Sequence, residues 1–228
     1  MIAFEKKIST DIMHEKYSNG LIVDVSYSSV LKDSWDGKFN PFYPHKGIRV
    51  PFTDGYSGIS VAAIWNSLKV LEKENVNEEL RNSRDIQRLK REYLGKLIGF
   101  RQGYFNNYIM DVVEARKKIL IPMYRWMLEQ KVLTVILKLR EIAQQRDIVL
   151  LDDSVNCDIE NVSKPLSHAW LIKSYVEGLY PYEDVYKNIN EYHIDPKGRE
   201  WITTKRVPKE IRPDYIGGQL KLGLDLDC

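Results

Sequence analysis

Cysteine and histidine are scarce in this sequence, and their scarcity narrows the chemistry to expect. The 228 residues include two cysteines, Cys157 and Cys228, and four histidines that do not cluster. No CxxC pair or mixed Cys/His spacing is present, so we expect no structural zinc site, no other metal and no cofactor. A disulfide between the two cysteines stays open as an alternative, but a reduced intracellular protein is the simpler interpretation.

Long apolar runs are also missing. No stretch approaches the roughly 18–20 apolar residues that cross a bilayer as a helix. The N-terminal segment MIAFEKKISTDIMHEKYSNG lacks the uninterrupted apolar core of a signal peptide. We therefore expect a cytoplasmic protein without a membrane-spanning segment.

Four common catalytic and phosphate-binding motifs are absent, namely G-x-G-x-x-G, G-x-x-x-x-G-K-[ST], H-E-x-x-H and G-x-S-x-G. Their absence argues against a Rossmann enzyme, a P-loop ATPase, a zinc protease and an α/β-hydrolase. The net charge does not narrow the function further, because 34 basic and 32 acidic residues leave a net charge of +2. That balance neither requires nor excludes a nucleic-acid partner.

The residues that are present predict a single α+β domain, rich in helix and built around a small sheet. Strand patterns occur at residues 21–30, 48–50 and 148–151, and helical patterns at residues 61–71, 108–115, 119–145 and 166–177. Ser60 is the expected N-cap of helix 61–71, and Pro122 suits the first turn of helix 119–145. We place the domain at residues 1–178 and expect residues 179–228 to wrap over it or extend it.

A first candidate site follows the apolar strand predicted at residues 148–151. Asp152 and Asp153 come directly after this strand, and Asn156 lies a few residues further on. A carboxylate at a buried strand end can act as a base or face a developing cation. The structural alternative is that these acids cap turns and bond to loop amides, and the residue types alone favour it.

Two further candidates combine polar groups with aromatic rings. Ser167 and His168 precede Trp170, and the histidine could orient or protonate a substrate, although a lone histidine more often serves the structure. The other candidate is an aromatic, proline-punctuated stretch at residues 39–69. Its substrate-binding candidates are Phe42, Tyr43, His45, Trp65 and Asn66, and Lys69 is a catalytic candidate. The rings could hold a flat base and the lysine a sugar or phosphate oxygen, but helical periodicity alone favours a core tryptophan and a surface lysine.

A fourth candidate is basic. Aromatic residues are interleaved with six cations that could hold a phosphate backbone: Lys90, Arg91, Lys96, Arg101, Arg116 and Lys117. A run of charges is more commonly a solvated face, so residue types alone favour that second interpretation.

The aromatic stretch resembles the signature of the NADAR superfamily of N-glycosidases. Members carry a turn like N-F-Y-P and a helix like S-V-E-H-x-Y-Q-x-x-K, and this chain has PFYP at residues 41–44 and SVAAIWNSLK at residues 60–69. Residues 150–160 are loosely similar to the L-L-x-T-G segment of that family. A closer likeness is to bacterial and phage proteins with S-P-F-Y-P-H-G, S-V-E-G-I-W-Q-x-L-K and P-L-S-H-A segments, matched at residues 40–47, 60–69 and 165–169.

The resemblance implies a NADAR-like fold and cleavage of the C–N bond between a ribose-type sugar and a base or amine. The transition state of that reaction is oxocarbenium-like, so a nearby carboxylate stabilises it. The family carries a catalytic glutamate where this chain has Ala62. Either Asp152 or Asp153 supplies the acid, or the chain is inactive, or the change was engineered to trap a substrate; the otherwise intact motif favours the last.

Two substrate classes follow from the resemblance: a nucleotide derivative such as an ADP-ribosyl adduct, and a base in DNA. Bacterial defence glycosylases that remove modified bases from phage DNA are a model for the second class. The basic and aromatic residues at positions 90–118 favour DNA, in which a duplex base would have to be flipped out. The competing hypothesis is a non-catalytic protein that recognises a nucleotide or nucleic acid, and a third is a phage–host interaction protein that acts through its surface.

Overall fold

A computed structural model describes residues 1–181, apart from the side chains of Thr10 and Glu92. The strands in this range are β1 (Ile2–Lys6), β2 (Leu21–Asp24), β3 (Ile48–Arg49), β4 (Ser57–Gly58), β5 (Lys69–Leu71), β6 (Leu97–Arg101), β7 (Ile109–Met110) and β8 (Ile148–Asp152). The α-helices are α1 (Thr10–Lys16), α2 (Tyr27–Leu31), α3 (Val61–Ser67), α4 (Ile86–Lys90), α5 (Val112–Ala115), α6 (Ile121–Lys131), α7 (Leu133–Ala143) and α8 (His168–Val176). Helices and small sheets together make the α+β fold that the sequence predicts.

A three-stranded parallel sheet holds the first candidate site. Its order is β1-β8-β2, so β8 lies in the centre and pairs with both neighbours in parallel. Every residue of β8 is buried, as expected for a parallel strand covered on both faces. Met13 of α1 covers one face of the sheet, and the main hydrophobic core covers the other.

The strand prediction for this sheet is partly confirmed. Strand β8 lies where it was predicted, whereas β1 was not predicted at all. The strand predicted at residues 21–30 stops at Asp24, and α2 follows. The Asp24 carboxylate accepts the backbone N–H of Ser26 at 3.0 Å and its hydroxyl at 2.6 Å. This local turn competes with the strand ladder and ends the strand.

Helix α3 begins as predicted and ends early. The Ser60 hydroxyl accepts the N–H of Ala63 at 3.1 Å, which confirms the predicted N-cap. The helix stops at Ser67, and Lys69 begins β5 instead of continuing the helix. Strand β6 causes this change, because the N–H of Arg101 bonds to the Leu68 carbonyl at 2.9 Å and extends the antiparallel sheet β5-β6-β7.

The long helical region after residue 108 is more divided than predicted. Residues Ile109–Met110 form β7, and one π-helical segment, Arg116–Leu120, joins α5 to α6. Pro122 lies in the first turn of α6, as predicted. A break at Val132, whose φ is −129°, then separates α6 from α7.

The described chain ends just after α8, the helix predicted at residues 166–177. Gly178, with a φ of +76°, follows this helix. The Tyr180 hydroxyl then donates to the Ile121 carbonyl at 2.9 Å. Most of the predicted extension at residues 179–228 lies outside the described residues. Within residues 1–181, no helix is both long and apolar enough to cross a bilayer.

Candidate functional site

The carboxyl ends of the three parallel strands lie at one edge of their sheet. Lys6 and Lys7 end or follow β1, Asp24 ends β2, and Asp152 ends β8. The first turn of α8 meets the same edge through Asp152. Ligands of open parallel sheets bind at such carboxyl edges. This edge is therefore the first candidate position for a ligand site.

Asp152 is buried, and its carboxylate is bonded to the start of α8. Its Oδ2 atom accepts the Ser167 hydroxyl at 2.9 Å and the backbone N–H groups of His168 at 2.7 Å and Ala169 at 3.1 Å. Burial by itself would raise the pKa of Asp152, but the charge of His168 and these hydrogen bonds outweigh it and lower the pKa below the usual aspartate value. Asp152 is therefore an ionised carboxylate at neutral pH with one oxygen fully occupied.

His168 faces Asp152 through one ring nitrogen and leaves the other open. Its Nδ1 atom lies 3.7 Å from Oδ1 of Asp152 and, within the described residues, is buried without a hydrogen-bond partner. Its Nε2 atom is not enclosed in this way, and the side chain is 20% exposed. The second ring nitrogen of a partly exposed imidazole beside a carboxylate can exchange a proton with a ligand. The two side chains face each other without a hydrogen bond between them, and Oδ1 of Asp152 accepts the backbone N–H of Asp153 at 2.7 Å.

A second polar cluster occupies the same edge. The Lys7 ammonium contacts the Asp24 carboxylate and the hydroxyls of Ser26 and Ser28. Burial would raise the pKa of Asp24, but its hydrogen bonds to Lys7 and Ser26 lower it overall. Asp153 is different, because it is exposed and one of its oxygens accepts the N–H of Tyr27 at 2.9 Å. Asp153 is thus the acid at this edge with acceptor capacity left for a ligand.

Tyr124 connects this edge to the aromatic turn. Its ring lies 5.7 Å from the imidazole of His168, and its hydroxyl donates to the Phe39 carbonyl at 2.7 Å. Burial raises the pKa of Tyr124 well above its usual value, so the hydroxyl stays a donor. The N–H of Ala62 donates to the Pro41 carbonyl at 2.8 Å. A continuous series of contacts therefore joins His168 to the start of α3.

Several of the predicted substrate-binding rings are already in contact with other protein groups. Phe42 meets Tyr27 edge to face at 5.2 Å and packs against the small core around Leu80. Trp65 stacks on Phe100 at 3.9 Å, so one face of its indole is covered. Each of these rings has part of its surface left for a ligand, since both are only partly buried.

Tyr43 and His45 form a pair at the outside of the turn. Their ring centroids lie 4.8 Å apart, and the Tyr43 hydroxyl lies 3.4 Å from the Asp33 carboxylate. The imidazole of His45 is 2.7 Å from the Lys38 carbonyl. Burial lowers the pKa of His45, and the charges of Lys131 and Lys38 lower it further. The hydrogen bond to the Lys38 carbonyl raises the pKa but does not outweigh these effects. His45 is therefore a neutral donor at neutral pH.

Four other predicted site residues have structural roles. The Asn66 amide donates to the Ala62 carbonyl at 2.7 Å, and the Asn156 amide holds the carbonyls of residues 161 and 164. Ser167 is the N-cap of α8, because its hydroxyl accepts the N–H of Trp170 at 3.2 Å. Lys69 is half-buried in β5 rather than on α3, where it was predicted. The residue types alone could not show these partners.

Arg91 and Arg116 are not on the basic surface predicted for them. Arg91 is 1% exposed and donates to the carbonyls of Asn66 at 2.7 Å and Lys69 at 3.1 Å and to Glu74 at 2.8 Å. Arg116 is also buried and donates to three carbonyls of residues 159–164. Their planar guanidinium groups hold loops together, so the assignment of these two residues to nucleic-acid contacts is corrected.

The other predicted cations lie nearer the surface. Lys90 and Lys96 are exposed, and Arg101 is half-buried with its guanidinium 3.3 Å from the Asn107 side chain. Lys117 forms an ion pair with Glu160. Lys90 and Lys96 therefore lie on the surface as predicted, whereas Arg101 and Lys117 already interact with other side chains.

Lys7, Asp24 and Tyr124 were missed in the sequence. One signal could have found Asp24: both β2 and β8 end in an aspartate that is followed two residues later by a serine, at Asp24–Ser26 and Asp152–Ser154. No sequence pattern identifies Tyr124. Within residues 1–181, no three His, Cys, Asp or Glu side chains lie close enough together to hold a metal ion.

Fold and site define an α+β protein with an Asp–His pair at the carboxyl edge of a parallel sheet. Residues 5–172 match a family of unknown function, DUF6939, and the chain belongs to that family. The matched range includes Lys7, the aromatic turn, α3 and His168. Comparison with curated proteins finds no match, and comparison with solved structures finds none either.

Proposed function

We propose that the protein is an N-glycosidase that hydrolyses the bond between a base and its sugar. The Asp152–His168 pair is the observation that carries this proposal. Its geometry leaves Nε2 of His168 open at the carboxyl edge and keeps an ionised carboxylate behind Nδ1. A reaction whose leaving group is a nitrogen base needs a proton donor of this kind.

The residues at the edge suit the steps of this reaction. His168, in its protonated form, donates Nε2–H to the leaving nitrogen of the base as the C1′–N bond breaks and its electron pair stays with the base. The remaining sugar is an oxocarbenium ion, which a carboxylate stabilises. Water then forms the new C1′–O bond, its proton goes to the Asp153 carboxylate, and exchange with solvent restores both groups.

The two predicted catalytic aspartates have different roles in this proposal. Asp152 is a positioning residue, since its Oδ2 atom is filled by three donors, while its Oδ1 atom accepts the N–H of Asp153 at 2.7 Å and lies 3.7 Å from His168. Asp153 is exposed and has an oxygen to spare, so it is the acid assigned to the cation. Because Ala62 supplies no carboxylate, the reaction depends on this second acid.

The reaction class comes from the resemblance to the NADAR superfamily. In support, the turn and helix that carry the resemblance lie beside the edge, through Tyr124 to Phe39 and through Ala62 to Pro41. The partly exposed rings of Tyr43 and Trp65 are the groups available to hold the base. The substrate is then a modified base in DNA or a nucleotide derivative.

A non-catalytic nucleotide-binding protein is the second candidate. Two observations favour it: Ala62 stands where the resembled helix carries its glutamate, and the Oδ2 atom of Asp152 is occupied as a helix cap. Such a protein would use the same edge to bind a nucleotide without releasing its base.

The two candidates are separated by measuring both binding and base release. The unaltered chain and His168→Gln are incubated with modified DNA and a nucleotide panel, and released bases are quantified by chromatography. We expect release to fall by about 100-fold or more in His168→Gln, while the matched control His14→Gln, altered at an exposed histidine of α1, keeps it. Binding without release in the unaltered chain would favour the non-catalytic candidate, and equal release in all three proteins would contradict the role of His168.

A further inference from the structure

Exposed apolar side chains are concentrated in one segment of the described chain. Between residues 93 and 109, six large hydrophobic side chains are exposed: Tyr93, Leu97, Ile98, Phe105, Tyr108 and Ile109. The three aromatic residues among them are exposed by 73%, 70% and 51%. They are the only Phe, Tyr or Trp residues classed as exposed in residues 1–181. An accumulation of this kind marks an interaction surface.

The same segment is positively charged. Residues 93–109, YLGKLIGFRQGYFNNYI, contain Lys96 and Arg101 and no aspartate or glutamate. Acids that approach from outside the segment are hydrogen-bonded. Glu72 accepts the N–H of Lys96 at 3.0 Å, and Glu114 pairs with Lys118 at 2.6 Å while it accepts the Tyr108 hydroxyl. Asp111, whose charge also acts on Tyr108, accepts the N–H of Glu114 at 2.8 Å. A partner of this segment therefore meets rings, amides and cations.

We propose that the exposed surface of residues 93–109 binds single-stranded nucleic acid. Strand β6 spans roughly 17 Å and has Tyr93 before it and Phe105 and Tyr108 after it, with the cations Lys96 and Arg101 between them. Aromatic rings stack on bases of any sequence, and cations attract the phosphates that connect them. A segment without acidic residues complements a polyanion better than it complements the surface of a protein partner with mixed charge.

The role of this surface in catalysis rests on the proposed function. The inference then names a polynucleotide as the substrate class of the proposed glycosidase site. Strand β6 lies directly against α3, since Phe100 stacks on Trp65 at 3.9 Å and the N–H of Arg101 bonds to the Leu68 carbonyl at 2.9 Å. A strand held on residues 93–109 would thus run past the helix that begins beside the aromatic turn.

Fluorescence anisotropy with a labelled oligo-dT tests the proposal. We expect binding that weakens steeply between about 50 and 200 mM salt. The triple variant Tyr93→Ala/Phe105→Ala/Tyr108→Ala should bind about tenfold more weakly or worse, because each stacked base contributes. The matched control Leu31→Ala/Val162→Ala removes exposed apolar side chains elsewhere and should bind like the unaltered chain. Lys96→Gln should reduce the salt dependence, whereas Lys32→Gln, at an exposed lysine of another surface, should not.

Three results would overturn the proposal: no oligo-dT binding by the unaltered chain, equal binding by the triple variant, or self-association in light scattering that the triple variant alone abolishes. The last result would assign the surface to a second copy of the chain. His14→Gln, at an exposed histidine of α1, should bind oligo-dT normally. Oligo-dT binding without base release would count against the glycosidase and support this inference. Base release from free nucleotides without oligo-dT binding would support the glycosidase and count against this inference.

Discussion

Tyr124 and Phe39 are joined by a buried hydrogen bond of 2.7 Å, from the tyrosine hydroxyl to the phenylalanine carbonyl. The same tyrosine ring lies 5.7 Å from the imidazole of His168. One side chain of α6 therefore fixes both the start of the aromatic turn and the position of the histidine. This places Tyr124 as a positioning residue for the proposed reaction, since it acts through His168 and the turn.

Replacing Tyr124 with phenylalanine should lower base release, and the loss should be larger than the loss of stability alone explains. The change keeps the ring and leaves the Phe39 carbonyl without its donor, at a cost of about 1–2 kcal/mol in the free energy of unfolding. Tyr180→Phe is a matched control, because its buried hydroxyl donates to the Ile121 carbonyl at 2.9 Å on another part of α6. Urea unfolding should show similar losses in both variants, and base release should fall only in Tyr124→Phe. Equal activities would contradict the positioning role.

Asp152→Asn should destabilise the protein in a pH-dependent way. The folded-state pKa of Asp152 lies below its unfolded value, so the ionised carboxylate stabilises the fold at neutral pH, and this contribution disappears as the pH falls through the folded pKa. We expect a loss of about 2–4 kcal/mol at neutral pH, because an amide cannot accept three donors. Urea unfolding should show that the difference in the free energy of unfolding between the unaltered chain and Asp152→Asn shrinks from neutral pH to below about pH 4.

Asp153→Asn provides the control for that experiment. Asp153 is exposed and bonds to one backbone N–H through Oδ2. Its replacement should change the free energy of unfolding by less than about 1 kcal/mol at neutral pH and should still reduce base release. A pH-independent loss in Asp152→Asn would contradict the ionised state assigned to that carboxylate.

Arg116→Met should reduce stability rather than act through a nucleic-acid contact. The buried guanidinium donates to the carbonyls of Ile159, Asn161 and Lys164, and losing these bonds should cost about 2–4 kcal/mol. The neighbouring ion pair of Lys117 with Glu160 is partly exposed, so Lys117→Met should cost less than about 1 kcal/mol. Thermal unfolding of the two variants measures the difference, and equal costs would show that Arg116 does not hold the loop.

Local patterns in the sequence were enough to predict several elements. Four consecutive apolar residues predicted β8, and Ser60 predicted the start of α3 through a side-chain bond three residues away. Helix α8 also lies within two residues of its predicted bounds. Each of these features depends on neighbours along the chain, which a single sequence displays directly.

The remaining features depend on contacts between distant residues. Ile2 pairs with Ile148 in the parallel sheet, and no pattern near either residue identifies the other. The Asp152–His168 contact was likewise not predicted, although both residues were candidates. Charge counting placed Arg91 on a surface because it registers only that the residue is cationic. It does not register that three carbonyl groups and one carboxylate surround the guanidinium.

Ala62→Glu should raise base release if the resemblance identifies the reaction. Ala62 is buried in the first turn of α3, close to the aromatic turn through its bond to the Pro41 carbonyl. A carboxylate in the first turn is favoured by the helix dipole and would add an acid to the site. The matched change Ala63→Glu, at the next buried position, should only destabilise the protein. Equal release by the unaltered chain and Ala62→Glu would contradict the assignment of this position.

Hydrolysis in ¹⁸O-labelled water, followed by mass spectrometry of both products, distinguishes an N-glycosidase from a protein that only binds nucleotides. The unaltered chain, Ala62→Glu and His168→Gln are incubated with modified single-stranded DNA and a nucleotide panel. We expect a released free base, one ¹⁸O atom at C1′ of the sugar, more product with Ala62→Glu, and almost none with His168→Gln. Absence of any released base from the first two proteins, or release that His168→Gln leaves unchanged, would contradict the proposed function.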